Sequence, residues 1–485
     1  MLNYAIYYLG CRVNQAEIET FEEELIKLGL KPSLDGKAEF IIFNTCAVTN
    51  KAEKESYRLI RRVFKENPTS KLFITGCIVP LNKTLIEQVK DRIISQDQEL
   101  ENFRTNIFVI SSLNKNKVIE LIKEELLKDQ NYYYYNLPTT LENFEDFENL
   151  EELKKRIRFK YNIKVQDGCN HFCTFCIIPY TRGRSRSKPI NQVLKEIDSI
   201  KKNLYYISKK LKNDEIGVEV DLVGICLGDY GIDINTNLAN LLKEISKNIE
   251  GTNILLRLSS IDLATIDDDI VEIVYNSSNI AKYFHLPLQS GSDEILKLMK
   301  RNYNVEKYLN VIEKIKRIPD VGITTDIIVG FPQEKDSHFE ETLKVVDYVK
   351  YHRIHIFPFS FRPYTYAYNK LRHIKLDPEK IKEREKILTQ RSLNNSYNFI
   401  MKNLNKVYKV LIEPNSLGYT HNFIRVKTDI ETEIPIFKEV IITGIYEAKT
   451  NFYIAKAQSI SNKINPINTQ INNEMNSNKV ILLKE

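Results

Sequence analysis

The stretch Asp167–Ser187 reads DGCNHFCTFCIIPYTRGRSRS. Three cysteines, Cys169, Cys173 and Cys176, share one short loop, and an arginine-rich run follows. A closed structural metal site takes four protein ligands, so this loop is one short. It directly follows the segment YNIKVQ, the first of six strand-like runs: YNIKVQ, VEVDLVG, NILLRLSS, AKYFHLPL, ITTDIIVG and IHIFPFS. Helix-period segments separate them. Six βα units over residues 159–397 predict an open or partial (β/α)6 TIM-type barrel, whose chemistry belongs at the C-terminal ends of its strands. The loop falls where such a site should lie.

Residues 1–128 repeat the alternation. YAIYYLG, EFIIFNT, KLFITG and NIFVISS read as strands, and Ile18, Phe21, Leu25 and Leu28 step by three and four along a helix. This pattern predicts a parallel α/β domain with helices on both faces of its sheet. The first three strands each end at a cysteine: Cys11, Cys46 and Cys77. Ligands in open α/β sheets collect outside the carboxyl ends of the strands. Three cysteines dispersed in sequence can therefore converge on one rim, although ordinary buried thiols are the alternative reading.

Residues 129–158 are rich in Tyr and acids and read as a linker with one short helix. From 398 to 461 the short strands KVYKVLIEP, FIRVKT, KEVIITGIYEA and FYIAKAQSI suit a small all-β, OB-like barrel of the kind that binds RNA. The polar residues 462–485 read as a mobile tail. The chain has 485 residues, 42% hydrophobic and 28% charged, an ordinary soluble balance. No apolar run spans a bilayer and no secretory signal opens the chain, so a reducing cytoplasm is the expected location and no membrane partner is expected. A net charge of +6 is mild. Nucleic-acid binding would therefore rest on local basic patches.

Seven cysteines in a reducing compartment do not point to disulfides. The spacing Cys169-x3-Cys173-x2-Cys176 matches neither paired zinc elements nor ferredoxin runs. Three thiolates on a [4Fe–4S] cube leave one iron open to a small molecule. C-x3-C-x2-C is the radical S-adenosylmethionine (SAM) signature, in which the SAM amino and carboxylate groups chelate that iron. A zinc staple recruiting His171 is the alternative. Cys226 stands alone in LVGICLGDYG and reads as a small buried hydrophobe.

LGCRVNQAE, NTCAVTN and TGC, with GCNHFCTFCIIPYTRGRSRS, resemble the methylthiotransferase family of radical-SAM enzymes. The resemblance continues through LRLSSID, HLPLQSGSDEILKLMKR and TDIIVGFP, and the C-terminal segment resembles that family's TRAM domain. It implies an enzyme with two [4Fe–4S] clusters: one on Cys169, Cys173 and Cys176, and an auxiliary one on Cys11, Cys46 and Cys77 carrying the sulfur. SAM would serve as radical source and methyl donor, the tRNA anticodon arm as substrate, and a flavodoxin or ferredoxin-like protein as electron donor. Arg12-Val13-Asn14-Gln15 resembles the subgroup that adds a methylthio group to C2 of N6-threonylcarbamoyladenosine beside the anticodon. Siblings acting on N6-isopentenyladenosine or on a ribosomal-protein aspartate are alternatives, as is a non-catalytic RNA-binding protein with structural metal. Gln333, Leu263 and Cys226 depart from the family's usual residues, and the second departure puts a direct role for Asp262 in doubt.

Gln289, Ser290 and Gly291 follow the fourth barrel strand and could contact SAM, or form a plain βα turn. Arg257 and Asp326 sit among apolar neighbours in strands. Such charges need partners: a SAM or substrate group, or an internal salt bridge. Arg182, Arg184, Arg186 and Lys188 abut the cysteine loop and read as an approach for RNA phosphates. Tyr419, Phe423 and Arg425 could stack on or clamp loop nucleotides, with core packing as the alternative.

Overall fold

The computed structural model describes residues 2–81, 106–128 and 158–460. The linker, apart from Arg158, and the tail expected from the sequence lie outside the described residues. In the N-terminal domain the strands β1 (Asn3–Tyr8), β2 (Lys31–Pro32), β3 (Phe40–Thr45), β4 (Lys71–Gly76) and β5 (Ile107–Val109) form one sheet. Their order is β2-β1-β3-β4-β5, and every pairing is parallel. Helices α1 (Arg12–Lys27), α2 (Asn50–Glu66) and α3 (Asn116–Leu127) cover it. Phe40–Thr45 is buried throughout. That is why FIIFNT reads as a nearly continuous apolar run, as a strand covered on both faces should. Phe21 and Leu25 of α1 pack with Val118 and Ile122 of α3 on one face, while Ile60, Val63 and Phe64 of α2 pack with Ile41 and Phe43 on the other.

The second unit begins with β6 (Lys160–Lys164). A two-residue rung, β7 (Gln166–Asp167) against β8 (Arg186–Ser187), brackets the cysteine loop and the short helix α4 (Ile178–Arg182). The remaining strands are β9 (Val218–Val223), β10 (Ile254–Leu258), β11 (Tyr283–His285), β12 (Gly322–Val329) and β13 (Arg353–Pro358). They form two all-parallel three-stranded sheets, β6-β9-β10 and β11-β12-β13, joined by the bridge Leu256–Ile280. The result is an open six-stranded barrel wall, as the six βα units imply. Helices α5 (Ile190–Leu211), α6 (Leu238–Asn248), α7 (Asp268–Asn276), α8 (Asp293–Leu298), α9 (Val305–Ile315) and α10 (Asp336–Val349) lie in the crossovers. The short α11 (Tyr366–Leu371) follows, and then α12 (Pro378–Lys402) runs unbroken through the boundary expected at 397.

The last unit pairs β14 (Val407–Ile412), β15 (Leu417–Tyr419), β16 (Arg425–Lys427), β17 (Ile436–Ala448) and β18 (Tyr453–Ser459) in the order β14-β17-β18-β16-β15. The turn from β14 to β15 nearly closes it into a barrel, with Glu413 N donating to Leu417 O. This small barrel docks where the strands of the large one begin. Gly217 N donates to Pro435 O just before β9, Asn422 Nδ2 donates to Asp320 O just before β12, and Phe423 stacks on Tyr283 at the start of β11. The opposite, C-terminal ends of the strands carry the cysteine loop.

Candidate metal and cofactor centre

Strand ends place all six predicted ligands. Cys169, Cys173 and Cys176 leave β7 on a loop that two left-handed residues bend, Gly168 at φ 75° and Phe172 at φ 49°. Gly168 is obligatory there, since a Cβ would meet the Arg184 carbonyl oxygen at 2.1 Å. The three thiols are close enough to perturb one another electrostatically. Burial pushes the Cys176 thiol up to about 12. Cys169 moves the other way, to about 7, because the Cys226 thiol donates to it. Arg301 Nη1 donates to Cys173 Sγ at 3.2 Å and also pairs with Asp262. A guanidinium on a sulfur favours the thiolate that a metal needs.

The second set converges as its strand ends imply. Cys11 caps α1 after β1, Cys46 follows β3, and Cys77 follows β4. Cys46 and Cys77 are buried, and Cys11 opens to solvent. Burial raises the Cys46 thiol to about 11, and the other two thiols are near enough to add to the rise. Gly10, at φ 118°, lets the backbone pass the Cys46 Sγ; a Cβ there would lie 3.0 Å from it. The segments that carry the two cysteine sets meet at one interface. Cys77 and Ile177, the residue after Cys176, share an apolar cluster.

Arg182 seals that interface, and its place corrects the expectation of a phosphate contact. Its side chain is fully buried, with Nη1 2.9 Å from Glu17 Oε1 and 3.0 Å from Asp167 Oδ1. Lys115 and Lys164 also pair with Glu17. These cations hold the Glu17 carboxyl well below its usual range despite its burial. Arg184 and Arg186 do remain exposed beside the cysteine loop. The Arg184 guanidinium lies 4.7 Å from the Phe172 ring, Phe172 meets Tyr180 edge-on, and Tyr180 stacks with Tyr364. Lys188, half-buried, pairs with Glu196 at 2.6 Å.

Three further expectations change. Arg257 is wholly buried and binds Glu219 through two nitrogens, at 3.0 and 2.8 Å, and the Thr420 carbonyl at 3.0 Å. Its partner is an internal carboxylate and not a SAM group. Phe423 is buried between Tyr283 and Tyr419, with centroids at 4.1 and 4.6 Å, so it plugs the domain junction and no base reaches it. Arg425 forms a bidentate pair with Glu413, and the half-buried Tyr419 lies under its guanidinium at 4.5 Å. All three sit at the end of the barrel away from the cysteines. Asp326 lies 3.1 Å from His285, and His355 faces it in register across β13. Burial lowers the His355 imidazole to about 4, and the histidines hold the Asp326 carboxyl down. Gln289 to Gly291 do form a tight rim turn: Gln289 is left-handed at φ 65°, and Gly291 N donates to Thr342 Oγ1.

Sequence reasoning missed the aromatic group Phe172–Tyr180–Tyr364, Arg301, and the His171–Asp229–Cys226 contacts. His171 Nε2 lies 3.0 Å from Asp229 Oδ1, which lifts the imidazole to about 9. Only the His between the cysteines hinted at the last of these.

A parallel open barrel with a C-x3-C-x2-C loop on its C-terminal rim defines a radical-SAM enzyme, a class that uses SAM and a [4Fe–4S] cluster. Residues 163–346 match the model described as the Radical SAM superfamily, and residues 3–95 match the one described as uncharacterized protein family UPF0004. The threonylcarbamoyladenosine tRNA methylthiotransferase MtaB of Rickettsia prowazekii (strain Madrid E) is 32% identical over 92% of this chain and 96% of its own. That of Chlamydia pneumoniae is 35% identical over 84% and 86%. A tRNA-2-methylthio-N(6)-dimethylallyladenosine synthase of Thermotoga petrophila (strain ATCC BAA-488 / DSM 13995 / JCM 10881 / RKU-1) is 32% identical over 84% of each chain. The chain belongs to the radical-SAM tRNA methylthiotransferase family. The radical SAM methyltransferase TsrM from Kitasatospora setae shares the fold, at TM-score 0.50 and 11% identity over 76% of this chain and 77% of its own. Among the described residues no helix is long and apolar enough to cross a membrane.

Proposed function

We propose that this protein adds a methylthio group to C2 of N6-threonylcarbamoyladenosine in tRNA, using two three-cysteine clusters carried by segments that meet at the domain interface. The carrying observation is that convergence: six soft donors in two sets, with Cys77 and Ile177 packed in one apolar cluster. Cys169, Cys173 and Cys176 would hold the radical cluster, and Cys11, Cys46 and Cys77 the auxiliary one. The donor chemistry fits, since each set offers three sulfurs and leaves a metal position open for a small molecule. When bound, the clusters and SAM supply the radical and the methylated sulfur.

The chain's own residues position and shield. Arg301 supports Cys173 as thiolate, and Arg182 locks the interface against water. Asp326, held ionised between two histidines, and the turn Gln289–Gly291 line the rim on which SAM and the target base would meet. The exposed Arg184 and Arg186, with Tyr180 and Tyr364, form the surface we assign to the anticodon arm: cations for phosphates and rings for stacking. We assign electron delivery to an external one-electron carrier of the flavodoxin or ferredoxin class.

Arg12-Val13-Asn14-Gln15 favours threonylcarbamoyladenosine over the isopentenyl substrate, and relatives bearing the former name reach 35% identity. Nucleoside mass spectrometry of tRNA from a deletion strain tests the assignment. Loss of the methylthio-threonylcarbamoyl nucleoside is expected; its persistence, with loss of the isopentenyl counterpart, would overturn it.

A further inference from the structure

Cys169, His171, Cys226 and Asp229 form a group of their own. One ligand atom from each lies within 4.8 Å of all the others. Cys226 Sγ and Asp229 Oδ1 stand 3.5 and 3.0 Å from His171 Nε2. Around a tetrahedral zinc ion, with bonds near 2.3 Å to sulfur and 2.0 Å to nitrogen or oxygen, neighbouring ligand atoms lie about 3.3–3.8 Å apart. The two His171 separations lie near that spacing and no pair exceeds 4.8 Å, so small side-chain shifts would close the four atoms on one ion. Thiolates on different corners of an iron–sulfur cube stand farther apart than this, because each serves its own iron. Cys226 is thus no fourth corner for the cluster.

The group is also built in. Cys226 and Asp229 are 7% and 4% exposed. Cys226 N donates to Gln166 Oε1 at 2.9 Å, and the Gln166 amide in turn donates to Gly168 O and Ser185 Oγ, tying the 224–231 loop to the cysteine loop. Gly228 lets the same loop seat on Thr265, since a Cβ there would fall 1.6 Å from Thr265 Oγ1.

We propose that Cys169, His171, Cys226 and Asp229 bind a single divalent cation of the zinc class, in a tetrahedral site that competes with the radical cluster for Cys169. Binding releases the thiol protons of Cys169 and Cys226 and the second ring proton of His171 to solvent, so the site takes up the ion with neutral imidazole and two thiolates; no electron moves. The ion holds the loop in the cluster-free chain and must leave before the cube is assembled. The competition, though not the site, rests on the cluster assignment above.

The test uses the full metal-free chain carrying C11A, C46A and C77A, which removes the other thiol set. One equivalent of cobalt(II) should give the ligand-field bands of a tetrahedral thiolate complex. Cys226→Ser or Asp229→Asn should weaken binding at least about tenfold, whereas Cys176→Ala should leave the affinity unchanged. Circular dichroism confirms that each variant is folded. Cobalt binding that survives both first substitutions and vanishes with Cys176→Ala would assign the ion to the three-cysteine loop and overturn the site. In a second arm, zinc-loaded chain should acquire iron–sulfur absorption more slowly than metal-free chain, because Cys169 must first be released by the ion. Equal rates would refute the competition. Neither arm reads tRNA modification, so failure of the substrate assignment leaves both results interpretable.

Discussion

Replacing Arg182 by Met keeps most of the side-chain volume and deletes the charge that joins the two cysteine-bearing domains. Arg182 meets Glu17 at 2.9 Å and Asp167 at 3.0 Å with no solvent access. Removing one partner of a buried ion pair costs about 3–5 kcal/mol, because the other charge is left without compensation. Here Glu17 keeps Lys115 and Lys164, and Asp167 keeps Lys164 and Arg186. The loss should therefore fall at the lower end, about 3 kcal/mol. Urea unfolding followed by tyrosine fluorescence suits a chain with 27 Tyr and no Trp. The first transition should move down by about 1–2 M urea. The pH dependence has a definite sign. The Glu17 carboxyl is depressed from its ordinary 4.5 in the folded chain. Its contribution is present above pH 4.5 and is lost as pH falls through the lower folded value. In Arg182→Met that acid limb should become shallower. A midpoint shift below about 0.3 M, with an unchanged acid limb, would refute the idea that this guanidinium ties the domains.

Cys11→Ala should leave SAM cleavage to 5′-deoxyadenosine measurable while abolishing methylthiolation; loss of cleavage instead would mean the ligand sets are misassigned. Arg301→Gln removes a charged donor from Cys173 Sγ, a contact worth about 1.5 kcal/mol. The radical cluster's midpoint potential should then fall by about 60 mV in an EPR-monitored titration. Arg184→Glu should weaken tRNA binding and reduce the slope of log affinity against log salt by about one, with tRNA-independent SAM cleavage unchanged. Tyr419→Ala, at the far end of the barrel, should leave that slope as it is.

Elements whose order depends on local pattern were legible in the sequence. Apolar runs such as FIIFNT and VEVDLV announced buried parallel strands, and the cysteines closing three of them announced a shared rim. Residues whose meaning depends on distant partners were not legible. Arg182 and Arg184 are two positions apart in an apparent basic run, yet one is buried against Glu17 and the other is exposed. Nothing near 182 reveals a carboxylate from α1. Arg257 and Phe423 fail as ligand contacts for the same reason: Glu219 on β9 and the Thr420 carbonyl occupy Arg257, and Tyr283 on β11 covers Phe423, all distant in sequence from the residue they satisfy. Cys226 is buried, as its apolar surroundings imply, but its sulfur faces Cys169 and His171 across fifty residues and more of intervening chain. β15, three residues long, and the continuous α12 escaped because turn residues masked the first and a domain boundary was read into the second.

Docking of the C-terminal barrel at the strand starts constrains how RNA approaches. Phe423, Asn422 and Pro435 hold its inner side against the wall of the large barrel. The residues that stack and pair there are satisfied by the protein itself. On the proposed assignment the target base enters from the opposite rim, where Arg184 and the Tyr180–Tyr364 stack are exposed beside the cysteine loop. The N-terminal domain closes part of that rim through Arg182 and through Arg362, which pairs with Glu53 on α2 at 2.5 Å. Access to the radical site and assembly of the two cysteine sets therefore depend on one interface. Loosening it opens the site to water as much as to RNA, which explains why this contact is made of buried charges with several partners each and not of one exposed pair.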